Sequence, residues 1–503
     1  MPNQLLTDSI SSTTKFLDTA FEIAVEQEIL LADYDKSVFK IVKTCVDHTI
    51  TQKYINGNKL ICEGYFRISI FYQPPQEDKL TVITKKQPFR HQLDLPVTVQ
   101  SPYFLPVNGS LQYVNTRAVS PTRISVSGVY GFNAKVYGVQ QTAVVSAVSS
   151  VTACADSNSQ TYFTLCSAGQ RQFSMEDEIS LPDNVDKILN INLGAHNCTV
   201  NSHQDKVNIK GEAVVDIFYT VENSSRINHI PKTFLYNQVV DMPGMAENNV
   251  AYADFSITSF TVTANSDTGK TNCLITATLD AKSFRKENLI LVNDCFSKSY
   301  EYEKSHKDIT LDLNISAVSK IQNFQVEDTI GSGFVPVYTI IDTSAPYTVE
   351  TDGRPVLKAK TTVSVIVKNE NKEYECFTKT GDITLDTGSS LSADDDIFVT
   401  CQRYGADVTV SGEVMKARFS VNVKGFVIRH KNHKVLAEFT ENHSAPVSNP
   451  ADALILYYGD KGENVFDIAM KYRTDLSLVM TENNLDTKIL TEDKMLLIPA
   501  YRQ

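Results

Sequence analysis

The chain has 503 residues, 42% hydrophobic content and a formal net charge of -12. That length gives room for several buried cores. The negative charge argues against a surface that neutralises phosphate or anionic lipid, which needs clustered Lys and Arg, so no nucleic-acid partner is expected.

The opening stretch, MPNQLLTDSISSTTKFLDTAFEIAVEQ, has no basic segment ahead of an apolar one, so no secretory signal is expected. No later apolar run approaches the roughly 18 residues that a membrane span needs. The expected compartment is therefore the cytoplasm. Nine cysteines, an odd number with no CxxC pair, fit reduced thiols used as small apolar fillers rather than a disulfide framework or a zinc site.

The first strong element is KLICEGYFRISIFY, Lys59 to Tyr72, which alternates as a strand should, and KVNIKGEAVVDIFY, Lys206 to Tyr219, nearly repeats it. Aligned at Gly64 and Gly211, the copies are 147 residues apart, and each glycine is followed 32 residues later by a proline, Pro96 or Pro243. A degraded third copy, RPVLKAKTTVSVIV, puts Ala359 where the glycines stood. Period-two runs such as SITSFTVTA and NCLITATLD fill the remainder of each unit.

The expected fold is mainly β: three repeated antiparallel sandwich or barrel-like domains and a small α+β domain. Their expected spans are 1–160, 161–305, 306–445 and 452–503. Gly64 and Gly211 are expected at equivalent strand positions where a side chain would crowd a neighbouring backbone or distort a bulge. FVIRHKNHKVLAEF reads as a hairpin turning near Lys431 and Asn432, with His430 and His433 exposed beside the turn.

Two motifs raise chemistry. ANSDTGKT, Ala264 to Thr271, has the spacing of a phosphate-binding loop with Ala264 in place of the first glycine, but a strand follows instead of the helix that the chemistry needs. Its NSDTG is turn vocabulary, so a hairpin is expected. The acidic run Asp394 to Asp396 reads as a solvated loop. No GxSxG elbow or HExxH is present, so no catalytic residue, metal site or cofactor is assigned.

After the connector SAPVSNPAD, residues 453–499 read as a strand, two short helices and a closing strand. Val465, Ile468, Ala469 and Tyr472 form one helical stripe, and Leu476, Val479 and Met480 a second. This segment resembles the LysM module through Tyr458, Gly462, Val465, Ile468, Ala469, Tyr472, Asn483, Leu485, Leu496, Ile498 and Pro499. Glu463 and Asn464 stand where glycan-binding members usually carry Asp and Thr. The resemblance places a binding groove between Lys461, Gly462, Glu463, Asn464 and Val465 on one side and Leu485 and Ile489 on the other.

The repeats resemble the SPOCS domain of endospore-forming bacteria through Ile70 to Tyr72 with Asp94 to Pro96, and Ile217 to Tyr219 with Asp241 to Gly244. SPOCS-like units with a C-terminal LysM resemble spore-coat morphogenetic proteins. That resemblance implies a non-enzymatic scaffold in the mother cell that binds the coat's basement-layer ATPase and other coat proteins and tethers coat to the forespore surface. A peptidoglycan-binding LysM protein is the alternative, and a cell-wall hydrolase a more distant one.

Overall fold

A computed structural model describes residues 4–499 apart from 183–184, 223, 225–226, 266–269 and 448–453. The chain is mainly β, as expected, and strand follows strand because Val, Ile, Thr, Phe and Tyr alternate with polar residues over long runs.

The first unit comprises β1 (Gln4–Leu30), β2 (Lys40–Asn56), β3 (Lys59–Gln73), β4 (Thr81–Asp94), β5 (Tyr103–Phe104), β6 (Val107–Ser120) and β7 (Arg123–Ser149). Its first and last strands run antiparallel along their whole length, from Gln4 opposite Ser149 to Leu30 opposite Arg123. The sheet β2-β3-β4 covers one half of that ladder and closes a core around Val25, Leu60, Phe66, Ile68 and Val126.

The second unit follows the same plan with β8 (Ala153–Ile179), β9 (Val185–His203), β10 (Lys206–Val221), β11 (Ile227–Asp241), β12 (Val250–Asn265) and β13 (Lys270–Ser297). So does the third, with β14 (Tyr300–Thr329), β15 (Val335–Thr343), β16 (Tyr347–Thr351), β17 (Arg354–Lys368), β18 (Tyr374–Leu385), β19 (Asp396–Ser411) and β20 (Val414–Pro446). The long ladders are β8 with β13 and β14 with β20; the covering sheets centre on β10 and β17. The breaks between these units fall at 150–152 and 298–299. The expected cuts after 160 and 305 lie inside β8 and β14, whose alternation runs on past them.

The repeat glycines occupy matching places on β3 and β10. Gly64 faces Ile50 beside a bulge in β2, and Gly211 faces Cys198 beside a bulge in β9. A Cβ on Gly64 would lie 2.1 Å from the Thr49 carbonyl oxygen. Ala359 is tolerated in the third unit because the strand that would crowd it is interrupted there: β15 ends at Thr343, opposite Thr361, and β16 begins at Tyr347, opposite Lys358. Gly64→Val is therefore expected to cost about 1–3 kcal/mol by overpacking, and Ala359→Gly less, in urea unfolding of the full chain. Equal losses would remove the distinction.

Reading β13 in sequence shows how the units are joined. Ile275 and Leu279 belong to the sandwich core, Phe284 to an aromatic cluster, Leu289 and Leu291 to a second shared core, and Phe296 to the contact with the C-terminal module. The uncovered halves of the three long ladders thus bury their faces on one another, with Ile10 and Val144, Leu289 and Leu291, and Ile309 and Leu311 in one core.

The aromatic cluster has a cyclic order. Tyr137, Phe284 and Phe426 sit at matching places on β7, β13 and β20, and Phe104, Tyr252 and Phe398 at matching places on β5, β12 and β19. Within units the ring centroids are 5.1, 6.4 and 4.8 Å apart. Between units Phe104 meets Phe284 at 6.3 Å, Tyr252 meets Phe426 at 4.5 Å, and Phe398 meets Tyr137 at 4.9 Å, which closes the ring. The Lys282 ammonium, ion-paired with Asp254, lies 5.3 Å from the Phe104 centroid and 5.1 Å from that of Phe426.

Two expectations are corrected here. No hairpin turns at Lys431 and Asn432: β20 runs unbroken from Val414 to Pro446, because β14 supplies an equally long partner. His430 is therefore not an exposed turn residue. It lies between two carboxylates, with Nδ1 2.8 Å from Asp312 and Nε2 3.0 Å from Asp396. The acidic run is a solvated loop only at Asp394, which is exposed in a turn; Asp396 holds His430, and Asp395, its side chain fully buried, pairs with Arg429 at 3.4 Å. The phosphate-loop resemblance falls partly on 266–269, outside the described residues; on either side of them Ala264 pairs with Thr271 in the antiparallel register of β12 and β13, and Thr271 lies on a strand rather than at a helix start.

Candidate partner-binding site in the C-terminal module

The last segment forms β21 (Leu454–Gly459), α1 (Val465–Lys471), α2 (Leu476–Glu482) and β22 (Lys494–Pro499), in the expected strand, helix, helix, strand order. Each helix starts on a side-chain cap: Asn464 accepts from Phe466 N at 3.0 Å, and Asp475 from Ser477 N at 3.0 Å. The helical stripes bury Val465, Ile468, Ala469, Leu476 and Val479 under the strands.

The module is fastened to the second and third units. Phe466 packs edge-on against Phe296 at 5.4 Å, and Cys154 joins the same core. Lys298 reaches Asp475 at 3.0 Å, Arg473 donates to the Tyr300 carbonyl at 2.8 Å and to Glu301 at 3.0 Å, and Lys488 pairs with Asp156. Burial would raise the Asp475 carboxyl, but hydrogen bonds from Ser477 and Lys298 hold it below the usual carboxylate range.

The two loops expected to form a groove do meet. Gly462 N donates to the Leu490 carbonyl and Val465 N to that of Lys488, each at 2.8 Å, and Asn464 bridges to Ile489. The residues differ in availability. Glu463 is committed to the fold, accepting from the Tyr457 hydroxyl at 2.8 Å and from Asp460 N at 3.0 Å, and Asn464 is spent on its cap. Val465, expected at the groove, is fully buried, because the first residue of a short helix under a two-stranded sheet points into the core. Leu485 packs partly against that core. Lys461 and Gly462 are exposed, and Ile489 keeps 49% of its surface open.

A second surface was not foreseen. Leu454, Leu456 and Tyr458 alternate outward on β21, opposite Pro499, Leu497 and Met495, so the outer face of the small sheet is apolar throughout. The alternation LILYY was legible as a strand, but which face would be covered was not.

Elsewhere, burial raises the cysteine thiols, Cys295 to about 12 and Cys62 to about 11, as suits fillers rather than nucleophiles. Among the described residues no cluster of three or more His, Cys, Asp and Glu side chains could hold a metal ion, and no helix is long and apolar enough to cross a membrane.

Residues 37–119 and 184–265 match the family model described as SipL, SPOCS domain. The chain carries two SPOCS domains. The matched spans begin 147 residues apart, the spacing of the repeat glycines; the first takes in β2 to β6 and the second β9 to β12. This SPOCS content points to a structural, coat-related protein of sporulation. Comparison with curated proteins and with solved structures gave no match.

Proposed function

We propose that the chain is a non-enzymatic scaffold of the spore coat: three SPOCS-type units, the third a diverged copy, form a rigid body that presents a LysM-like C-terminal module to a protein partner. That partner is the coat's basement-layer ATPase, met on the forespore surface from the mother-cell side, with other coat proteins binding elsewhere on the body. The observation that carries this reading is the commitment of Glu463 and Asn464 to internal hydrogen bonds. A glycan groove needs free polar groups aimed at the sugar, whereas this module leaves a cation, Lys461, beside exposed apolar side chains, which suits the apolar centre and polar rim of a protein interface.

The double variant Lys461→Glu/Ile489→Asp changes two exposed side chains. It is expected to keep its circular dichroism spectrum and to lose forespore localisation of a fluorescent fusion. Val465→Asp, by contrast, is expected to unfold the module and would not distinguish lost binding from lost structure. Normal localisation of the double variant would remove the groove from the interface. Its retention on purified peptidoglycan with loss from coat would favour the glycan reading.

A further inference from the structure

Between the three covering sheets lies a chamber of about 780 Å³, within the 300–1,000 Å³ range of small-molecule sites. Its walls differ in chemistry although the units share a plan. The first unit contributes Asp47 and Arg67, the third Asp342 and Arg403, and the second an apolar wall of Phe255, Ile257 and Phe260.

The first unit's pair is satisfied: Arg67 donates to Asp47 at 2.7 Å and to the Ile191 carbonyl at 2.9 Å. The third unit's pair is held more loosely. Arg403 donates to the Ile341 carbonyl at 2.6 Å and attracts the Asp342 carboxylate, which also accepts a hydrogen bond from the Thr343 backbone; among the described residues neither side chain hydrogen-bonds to another side chain. Asp342 nevertheless keeps an open surface toward the chamber. Burial, and after it the nearby Asp47 charge, raises its carboxyl against the opposing pull of Arg403, the Thr343 backbone and Lys43. Lys43 and Lys86 also line the chamber, so charges of both signs face the apolar wall, an arrangement that suits a zwitterion better than a phosphate or a sugar. A multiply charged anion would face two carboxylates, and a sugar would leave both charges unpaired.

We propose that the chamber binds a free α-amino acid with an apolar side chain, its carboxylate on Arg403, its ammonium on Asp342 and its side chain against Phe255, Ile257 and Phe260. Binding would close the gap between the units and stiffen the body, so the ligand should raise the unfolding temperature.

The test is calorimetric titration and thermal unfolding of the full chain with L-leucine and L-phenylalanine, using N-acetyl-leucine amide, which lacks both charges, as the control. Saturable heat and a raised unfolding temperature are expected for the free amino acids and not for the amide. Arg403→Gln and Asp342→Asn are each expected to weaken binding by about tenfold or more, the loss of one charged contact. Gly194→Phe supplies a plug, since a Cβ there meets only the Arg403 carbonyl oxygen, at 3.9 Å, and it should abolish the heat while leaving the circular dichroism spectrum intact. Absence of saturable heat with both amino acids at millimolar concentration, or equal binding of the amide, would overturn the proposal whatever the variants do.

Discussion

His430→Ala is expected to destabilise the chain by about 3–5 kcal/mol, the range seen when one partner of a buried charged cluster is removed. The imidazole joins Asp312 on β14 to Asp396 on β19, and Thr13 and Tyr137 of the first unit face these two carboxylates. Lys15, also from the first unit, adds positive charge near Asp396. Burial alone would lower the imidazole pKa, but the two carboxylates overcome it and raise it to about 10.

The pH dependence follows from that direction. A histidine raised in the fold contributes stability that is fully present below its unfolded pKa of about 6.5 and is lost as pH climbs to about 10, with a slope of up to roughly 1.4 kcal/mol per pH unit. Asp396, held low, adds stability that disappears on acidification below about pH 4. Urea midpoints measured from pH 6 to 10 should fall for the wild-type chain and stay nearly level for His430→Gln. Parallel slopes in the two proteins would show that the cluster does not set the alkaline limit.

The second large effect is expected at the aromatic ring. Phe426 is almost fully buried and touches Tyr252 and Phe398 at 4.5 and 4.8 Å, so Phe426→Ala should cost about 3–5 kcal/mol through lost transfer energy and a cavity. Because its contacts join two units, the loss should appear as one shifted, still cooperative transition in calorimetry. A separate early transition with two units unchanged would mean that the sandwiches fold independently and the ring is incidental.

The sequence showed the repeat, the strand class and the module order, because each rests on a local pattern: alternation, turn residues, helical stripes. It also held an unread signal. Lys135-Val-Tyr137, Lys282-Ser-Phe284 and Lys424-Gly-Phe426 recur late in the units and mark the ring, but a Lys two residues before an aromatic is unremarkable until the repeat is already in register. The buried role of His430 was beyond local reading, since Asp312 lies 118 residues away along the chain. Hairpin vocabulary around Lys431 and Asn432 was overridden by pairing with β14, a tertiary preference over a local one. At the candidate site the loops were legible and the side-chain commitments were not. Whether Glu463 faces a ligand or Tyr457, six residues earlier, depends on how the loop between β21 and α1 closes.

A direct test of the scaffold reading is binding of the full-length chain to the purified coat basement-layer ATPase by biolayer interferometry, run beside purified peptidoglycan and repeated with Lys461→Glu/Ile489→Asp. The account predicts saturable binding to the ATPase, at least about tenfold weaker in the double variant, and no saturable binding to peptidoglycan. Binding to peptidoglycan alone, or ATPase binding indifferent to those two residues, would contradict it.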